Sequence, residues 1–293
     1  MSRFILCAVT SLLTVSSLLA APTLQFEDQA WGRMAIASLE SAPYPHPSRE
    51  EGFASSGSFY PRDPHYIDSS VAFLVPAGYE ARDEVDLIVH FHGHQSRITE
   101  TIPQMRLGEQ LEASGVNAII FVPQGPLNAS DSRFGKIDEP GGFAALIEES
   151  LECLHHSGVT RSEMPGRIVI MGHSGGFYPL GQVIANGDLA DHIVELWIWD
   201  AAYAQLEDFA DFATRPDTHV RSIFTGHLSE ENVDLATLLW QRGVPVTLTH
   251  DTLVTDEQLT EDRVVLMHTD LSHMQVMTHL EQWARTSTLP QRP

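Results

Sequence analysis

The residues with the clearest chemical potential are those from Gly172 to Gly176, which read Gly-His-Ser-Gly-Gly. They follow an apolar, β-branched run from Ile168 to Met171 and precede a segment with the apolar spacing of a helix. A serine at a tight strand-to-helix turn needs small neighbours, and its exposed hydroxyl is suited to nucleophilic attack. The amide of Gly175 and the start of the helix would face the negative charge that develops during acyl transfer. We therefore predict Ser174 as a nucleophile; a glycine-rich turn without chemistry is the alternative.

A second set of reactive side chains consists of His90, His92 and His94, at the end of the run from Asp86 to Phe91. Alternate residues of a strand project to one face, and imidazole is a common zinc ligand, so a metal site is one interpretation. The residues that follow, Gln95 to Arg97, supply no acidic or histidine partner for such a site. We keep the metal site as an alternative, and expect His90 or His92 to be a hydrogen-bonded packing residue.

Both motifs resemble the α/β-hydrolase superfamily. The glycine-flanked serine resembles its nucleophile turn, and the His-Gly sequence upstream resembles the turn after its third strand. The resemblance extends from about Val71 to the C-terminus, and it implies that the amides of His94 and Gly175 form an oxyanion hole. It also implies hydrolysis of a carboxylic ester, in a small molecule or a polymer, through an acyl-enzyme that requires no cofactor or metal.

The superfamily order along the chain is serine, acid, histidine, which places the general base near the C-terminus. There, the apolar run from Val264 to His268 is followed by a loop that contains His273. A histidine that titrates near neutrality can take the proton of the serine and return it to the leaving group. We predict His273 as the base; His268, the last residue of the strand, is the alternative.

The acid of such a triad has two candidate positions. In relatives it often follows the strand that corresponds to residues 220–224, and the loop after that strand offers Glu230 and Glu231. An acid at the end of the preceding strand is a known variation, and Asp200 follows an apolar run there. A buried carboxylate requires a donor partner, and a protonated histidine is a suitable one. We predict Asp200, with Glu230 or Glu231 as alternatives and a purely structural aspartate as a further one.

Short apolar runs alternate with helical segments over the rest of the chain, which predicts crossover connections and a mostly parallel sheet. The predicted strands are residues 71–75, 86–91, 118–122, 167–171, 194–199 and 220–224. Two helices have readable ends: one opens near Pro140 and is followed by Gly158, and one begins near Phe177 and stops at Asn186-Gly187. A further helix is predicted through Trp283. The fold class is α/β, and the predicted architecture is an α/β-hydrolase fold with helices on both faces of the sheet. Few residues separate Asp200 from Val220, so no large cap domain is expected.

The N-terminal segment, residues 1–21, has the pattern of a secretory signal peptide. Arg3 precedes an apolar stretch from Phe4 to Leu19, and small residues follow it. A membrane anchor is the alternative, but Ser and Thr residues interrupt the stretch. Cleavage predicts a secreted or periplasmic protein. Cys153 would then be its one cysteine, because Cys7 is removed with the signal, and an intrachain disulfide is excluded.

Residues 22–69 are rich in Pro, Ser, Gly and aromatic residues, and only Trp31 to Leu39 shows a helical spacing. This composition predicts an irregular arm that lies on a catalytic domain of residues 70–293. The arm either covers a sheet edge or offers aromatic surface to a substrate. The aromatic residues considered for the second role are Tyr44, Phe53, Phe59, Tyr60 and Tyr66.

The charge balance excludes two classes of partner. The chain has 39 acidic and 17 basic residues, a formal net charge of -22, and 43% hydrophobic residues, which are sufficient for a core. A chain this acidic repels phosphate backbones and anionic lipid, so we expect neither nucleic acid nor a membrane surface as a partner.

A secreted binding protein that keeps the fold without catalysis is the alternative to an enzyme.

Overall fold

The computed structural model describes residues 23–293. The predicted signal peptide and Cys7 lie outside these residues. Across the described part of the chain, no helix is both long and apolar enough to span a bilayer. Twelve strands and nine α-helices are present in it.

Most of the strands form one large sheet. Their bounds are β1 Glu27–Gln29, β2 Gly32–Ser38, β3 Phe53–Ser55, β4 Ser58–Tyr60, β5 Ser70–Pro76, β6 Val85–Phe91, β7 Ile119–Pro123, β8 Pro165–His173, β9 Ile193–Trp199, β10 His219–Phe224, β11 Thr247–His250 and β12 Val264–His268. The large sheet has ten strands in the order β1-β2-β5-β7-β6-β8-β9-β10-β12-β11, and β3 and β4 form a separate hairpin. All neighbouring strands from β7 to β11 in this order are parallel, whereas the β1-β2, β2-β5 and β5-β7 pairs are antiparallel. The mostly parallel sheet confirms the predicted α/β class.

Helices cover both faces of this sheet. They are α1 Arg62–His65, α2 Ile98–Gln104, α3 Leu107–Ser114, α4 Gly142–His156, α5 Phe177–Asn186, α6 Leu206–Thr214, α7 Ser229–Gln241, α8 Asp256–Glu261 and α9 Leu280–Arg285. One core contains buried residues of α4, α5, α6 and α7, and the other contains buried residues of α2, α3, α8 and α9. The central strands β6 and β8 contribute to both cores because both of their faces are covered.

The hydrophobic patterns of the sequence correctly predicted the central strands and two of the helices. All six predicted strands are present, with ends shifted by at most two residues. The two helices correspond to α4 and α5. The residue that follows α5 is Gly187, whose φ of 73° is in the left-handed region and ends the helix. Between β9 and β10 only α6 is inserted, so the described chain has no large cap at that position.

The helical spacing from Trp31 to Leu39 was misleading. These residues form β2, which pairs along its whole length with β5. Only Ala35 of this strand is fully buried. Because only one position of this strand is strongly buried, its sequence shows little alternation of apolar and polar residues. Its extended conformation is therefore decided by the pairing with β5. Part of the predicted arm is therefore an extension of the sheet.

Candidate active site

Ser174 lies at the turn between β8 and α5. Its φ is 53°, a left-handed conformation that is rare for a residue with a side chain. The flanking glycines permit this turn: a Cβ atom on Gly176 would lie 2.3 Å from the carbonyl oxygen of Phe91, and one on Gly172 would lie 2.7 Å from the carbonyl oxygen of Gly176. The side chain of Ser174 is half-buried. Strained backbone at a polar residue of this kind is typical of a functional site.

The His-Gly turn after β6 packs directly on the serine turn. A Cβ atom on Gly93 would lie 2.8 Å from Cβ of Ser174, and one on Gly175 would lie 2.5 Å from Cδ2 of His94. Among residues 23–293, no hydrogen bond is donated by the backbone amide of His94. The two predicted motifs are therefore neighbours, with His94 beside Gly175.

His92 fixes the conformation of this turn. The amide of Gly125 donates to Nε2 of His92 at 2.9 Å, so Nδ1 carries the proton and donates to the carbonyl oxygen of Gly93 at 2.8 Å. Burial lowers the pKa of His92 to about 4, which keeps the ring neutral. His92 is thus the hydrogen-bonded packing histidine that the sequence predicted.

The alternative metal site on this strand has unfavourable geometry. Both ring nitrogens of His92 are used by the protein, and His94 places Nε2 2.8 Å from Oγ of Ser132. Burial lowers the pKa of His90 well below its usual value, and neither of its nitrogens has a hydrogen-bond partner. Two clusters of potential metal ligands occur in the described chain, and neither contains His90, His92 or His94.

Asp200 and His273 meet at the carboxyl edge of the sheet. Asp200 follows β9 and is fully buried, and Nδ1 of His273 donates to its Oδ2 at 2.6 Å. Thr225, which follows β10, donates to the same carboxylate from its amide at 2.8 Å and from its hydroxyl at 2.9 Å. Burial alone would raise the pKa of Asp200, but the hydrogen bonds from His273 and Thr225 outweigh it and lower the pKa. The carboxylate is therefore ionised at neutral pH and fixes the orientation of the His273 ring through the hydrogen bond at Nδ1.

The ring of His273 lies next to the serine turn. Its centroid is 4.6 Å from that of His173, the residue before Ser174. No hydrogen bond joins Ser174 to His273 among the described side chains. In enzymes without substrate such contacts are often loose and tighten in the reacting complex.

No protein-family model matches the sequence, and no curated protein matches it. Among solved structures, one described as FAE is similar, with a TM-score of 0.51 and 10% identity over 92% of this chain and 94% of that chain. The chain has the α/β-hydrolase fold. A ferulic acid esterase is similar with a TM-score of 0.47 and 12% identity over 74% of this chain and 92% of that chain. A mutant of the feruloyl esterase module from Clostridium thermocellum complexed with sinapinate has a TM-score of 0.44 and 9% identity over 91% and 94%.

Within this α/β-hydrolase fold, the alternative triad members lie elsewhere. Glu230 and Glu231 are in the first turn of α7, and Glu230 is exposed. His268 ends β12 and faces His250 on the neighbouring strand. Of the three candidate acids, the one that hydrogen-bonds to His273 is Asp200.

Sequence reasoning missed His173. This buried residue donates from Nε2 to the carbonyl oxygen of His273 at 2.9 Å, and burial lowers its pKa to about 4. It therefore ties the loop that carries His273 to the serine turn. Its place immediately before the serine in the motif was the available signal.

A second histidine near Asp200 was also missed. The hydroxyl of Tyr203 lies 2.9 Å from Nε2 of His227, and Nδ1 of His227 lies 2.5 Å from the hydroxyl of Thr225. Since Thr225 donates its hydroxyl proton to Asp200, His227 donates to Thr225 and Tyr203 donates to His227. Burial raises the pKa of Tyr203, and the charge of Asp200 adds to this. Tyr203 is thus the outer end of a chain of hydrogen bonds that leads through His227 and Thr225 to Asp200.

A cleft of about 250 Å³ opens beside Ser174. Besides the two turns, its lining residues are Gln95, Ser96, Arg97, Glu100, Thr101, Gln104, Met105 and Met274. Most of these side chains end in an amide, a hydroxyl or a charged group. The cleft is therefore small and polar.

The N-terminal arm packs beside the rim of this cleft, and most of its aromatic side chains are not available to a substrate. Tyr44 and Tyr66 are buried against each other, which corrects the expectation that they face a substrate. Arg49 pairs with Asp131 at 2.6 Å, next to the Ser132 that contacts His94. Of the remaining three, Phe53 and Tyr60 pack against the buried pair and Phe59 is 63% exposed.

Proposed function

We propose that the protein hydrolyses carboxylic esters through an acyl-enzyme, with Ser174 as nucleophile, His273 as general base and Asp200 as the orienting acid. The observation that carries this proposal is the 2.6 Å hydrogen bond between His273 and the buried Asp200, beside a serine in left-handed backbone. A buried, ionised carboxylate on Nδ1 leaves Nε2 of His273 free to accept a proton. An ester is favoured over an amide by the resemblance to the α/β-hydrolase superfamily.

The proposed reaction has two steps. Ser174 attacks the ester carbonyl while Nε2 of His273 takes its proton, and the collapse of the tetrahedral intermediate passes that proton to the departing alcohol. Water, deprotonated by the same nitrogen, then attacks the acyl carbon; the bond to Oγ of Ser174 breaks, the acid is released and Nε2 returns the proton to Oγ. The amides of His94 and Gly175 are proposed to hold the oxyanion, and the contact between their two turns supports this role. Asp200 stabilises the imidazolium in both steps.

The predicted signal peptide adds the proposal that the enzyme is secreted or periplasmic. Two other functions compete with this one. A non-catalytic binding protein would not need the buried Asp200–His273 pair beside Ser174. A metal hydrolase on His90, His92 and His94 would require the lone pair of His92 that Gly125 occupies.

The test uses p-nitrophenyl esters of increasing acyl length with wild type, Ser174→Ala and a matched control, Ser58→Ala, at an exposed serine of β4. We expect Ser174→Ala to lose roughly 10⁵- to 10⁶-fold in kcat, as removal of a serine nucleophile does elsewhere. A fluorophosphonate probe should label wild type and Ser58→Ala only. Undiminished hydrolysis in Ser174→Ala would remove the mechanism, and if a chelator abolished the hydrolysis that remains in Ser174→Ala, the metal hydrolase would be favoured.

A further inference from the structure

A second group of histidine and aspartate side chains lies at the carboxyl edge of the sheet, apart from the proposed triad. His250 and His268 end the parallel strands β11 and β12 and are register partners. Asp270 follows two residues after His268. One ring nitrogen of each histidine and one carboxylate oxygen of Asp270 all lie within 4.8 Å of one another. Nε2 of His250 is 3.5 Å from Oδ2 of Asp270.

A buried carboxylate lies behind this group. Asp251 is 6% exposed, and its Oδ1 lies 2.9 Å from Nδ1 of His250. Its other oxygen accepts the hydroxyl of Thr269 at 2.7 Å and lies 3.3 Å from Nε2 of His279. The hydroxyl of Thr252 is also 2.9 Å from Nδ1 of His250, and the amide of Thr252 donates to Nδ1 at 3.3 Å. Nε2 therefore carries the ring proton and points toward Asp270. When Nε2 binds a metal ion, this proton moves to Nδ1, where Oδ1 of Asp251 and the hydroxyl of Thr252 are close enough to accept it, as a carboxylate behind a metal-bound histidine does.

The remaining ligand atoms are available. Within residues 23–293 the ring of His268 has no hydrogen-bond partner, and its neighbours are the rings of Phe224 and His250. The side chain of Asp270 is 90% exposed and can adjust its position. No member of the group belongs to the proposed catalytic machinery, so ester hydrolysis does not explain why these side chains converge.

We propose that His250, His268 and Asp270 bind a divalent transition metal ion of the zinc type. Two imidazole nitrogens and a carboxylate oxygen are ligands that zinc prefers, with water in the fourth position. Metal-ligand bonds of about 2.0–2.2 Å place the ligands of a tetrahedral site about 3.3 Å apart. The separation of 3.5 Å between His250 and Asp270 is close to that value. The nitrogen of His268 lies within 4.8 Å of the other two ligand atoms, so a closing movement of at most about 1.5 Å brings the third ligand in.

The position of this site gives the ion a structural role. His268 and Asp270 lie in the segment that leads to His273, and His250 lies on the neighbouring strand. An ion there joins the edge strand to the loop of the proposed base. Its binding favours the folded protein, because the ligands converge only after folding. The proposal is independent of ester hydrolysis and holds whether or not Ser174 is a nucleophile.

The experiment is a calorimetric titration of chelator-treated protein with zinc chloride, for wild type, Asp270→Asn and His268→Asn. The control is the double variant His155→Asn, His156→Asn, which removes two histidines of α4 that lie outside both clusters. We expect one zinc ion per wild-type chain, at least tenfold weaker binding in Asp270→Asn and His268→Asn, and unchanged binding in the control. Zinc should also raise the Tm of wild type but not that of His268→Asn.

Two results would overturn the proposal. One is the absence of zinc binding to the wild-type protein. The other is equal affinity in wild type, Asp270→Asn and His268→Asn. In the second case His227→Asn identifies the site, because the other cluster of potential ligands consists of Asp200, His227 and His273. Asp270→Asn keeps the test valid if His268→Asn is unstable, since Asp270 is a surface residue.

Discussion

Two clusters at one edge of the sheet combine histidines with a buried aspartate, yet their geometry favours different chemistry. Around Asp200, the carboxylate is fully buried and accepts hydrogen bonds from His273 and Thr225, next to the strained Ser174. Around Asp251, the carboxylate lies behind His250, whose other nitrogen faces a second acid, Asp270. A histidine-aspartate pair therefore does not define a catalytic site by itself. In the proposed roles, His273 activates the nearby hydroxyl of Ser174, whereas His250 shares a metal ion with Asp270.

The largest effect should separate the two histidines that contact these carboxylates. We expect His273→Ala to lower kcat by roughly 10⁴- to 10⁶-fold, because the proton of the nucleophile has no other acceptor. His250→Ala should abolish zinc binding but lower kcat by less than about tenfold. The substitution affects the proposed triad only indirectly, through the loop that carries His273. Steady-state kinetics on one ester and zinc calorimetry measure both. Comparable losses of kcat in the two variants would contradict the distinction.

A smaller effect should show how Asp200 is held. Thr225→Val removes one hydroxyl donor and keeps the volume, and a hydrogen bond to a charged group contributes about 1.5–3 kcal/mol. The hydrogen bonds lower the pKa of Asp200, so their contribution to stability is present above the unfolded carboxyl pKa and is lost as the pH falls through the folded pKa, below 3.8. The difference between wild type and variant in urea unfolding should therefore be largest at pH 7 and narrow below pH 3.8. A difference that does not change with pH would show that Thr225 acts through packing alone.

The smallest effect should come from Tyr203. Tyr203→Phe removes the hydroxyl that bonds His227, and because this side chain is 40% exposed, water can replace the bond. A neutral hydrogen bond of about 0.5–1.5 kcal/mol corresponds to a loss of about two- to tenfold in kcat/KM. The pH profile of kcat/KM provides the second readout. A loss above a hundredfold would instead make Tyr203 part of the catalytic group.

The parts of the molecule that the sequence predicted are those whose patterns are local. β6 and β8 are apolar on both faces, and the turn at Ser174 follows from glycines within two residues of it. The prediction of His273 as the base used only its order along the chain. These features need no knowledge of distant partners.

The parts that it did not predict depend on contacts between distant segments. The sequence favoured Asp200 over Glu230 because it directly follows an apolar run, but which strand end lies beside His273 depends on the fold. Thr225 and Tyr203 act through partners on other loops, and β2 becomes a strand only because β5 pairs with it. The group at His250 joins two strands that are adjacent in the sheet but 18 residues apart in register, so its spacing in the sequence gave no signal.

The backbone conformation of Ser174 has a consequence for how the protein evolves. Glycine would adopt a φ of 53° without strain, so a serine here makes the folded state less stable than it needs to be. In the proposed function the hydroxyl of Ser174 is required, so the change to glycine that relieves this cost would also remove activity, and function and stability favour different residues at this position. Stabilising changes elsewhere in the chain are the means by which such a residue is retained.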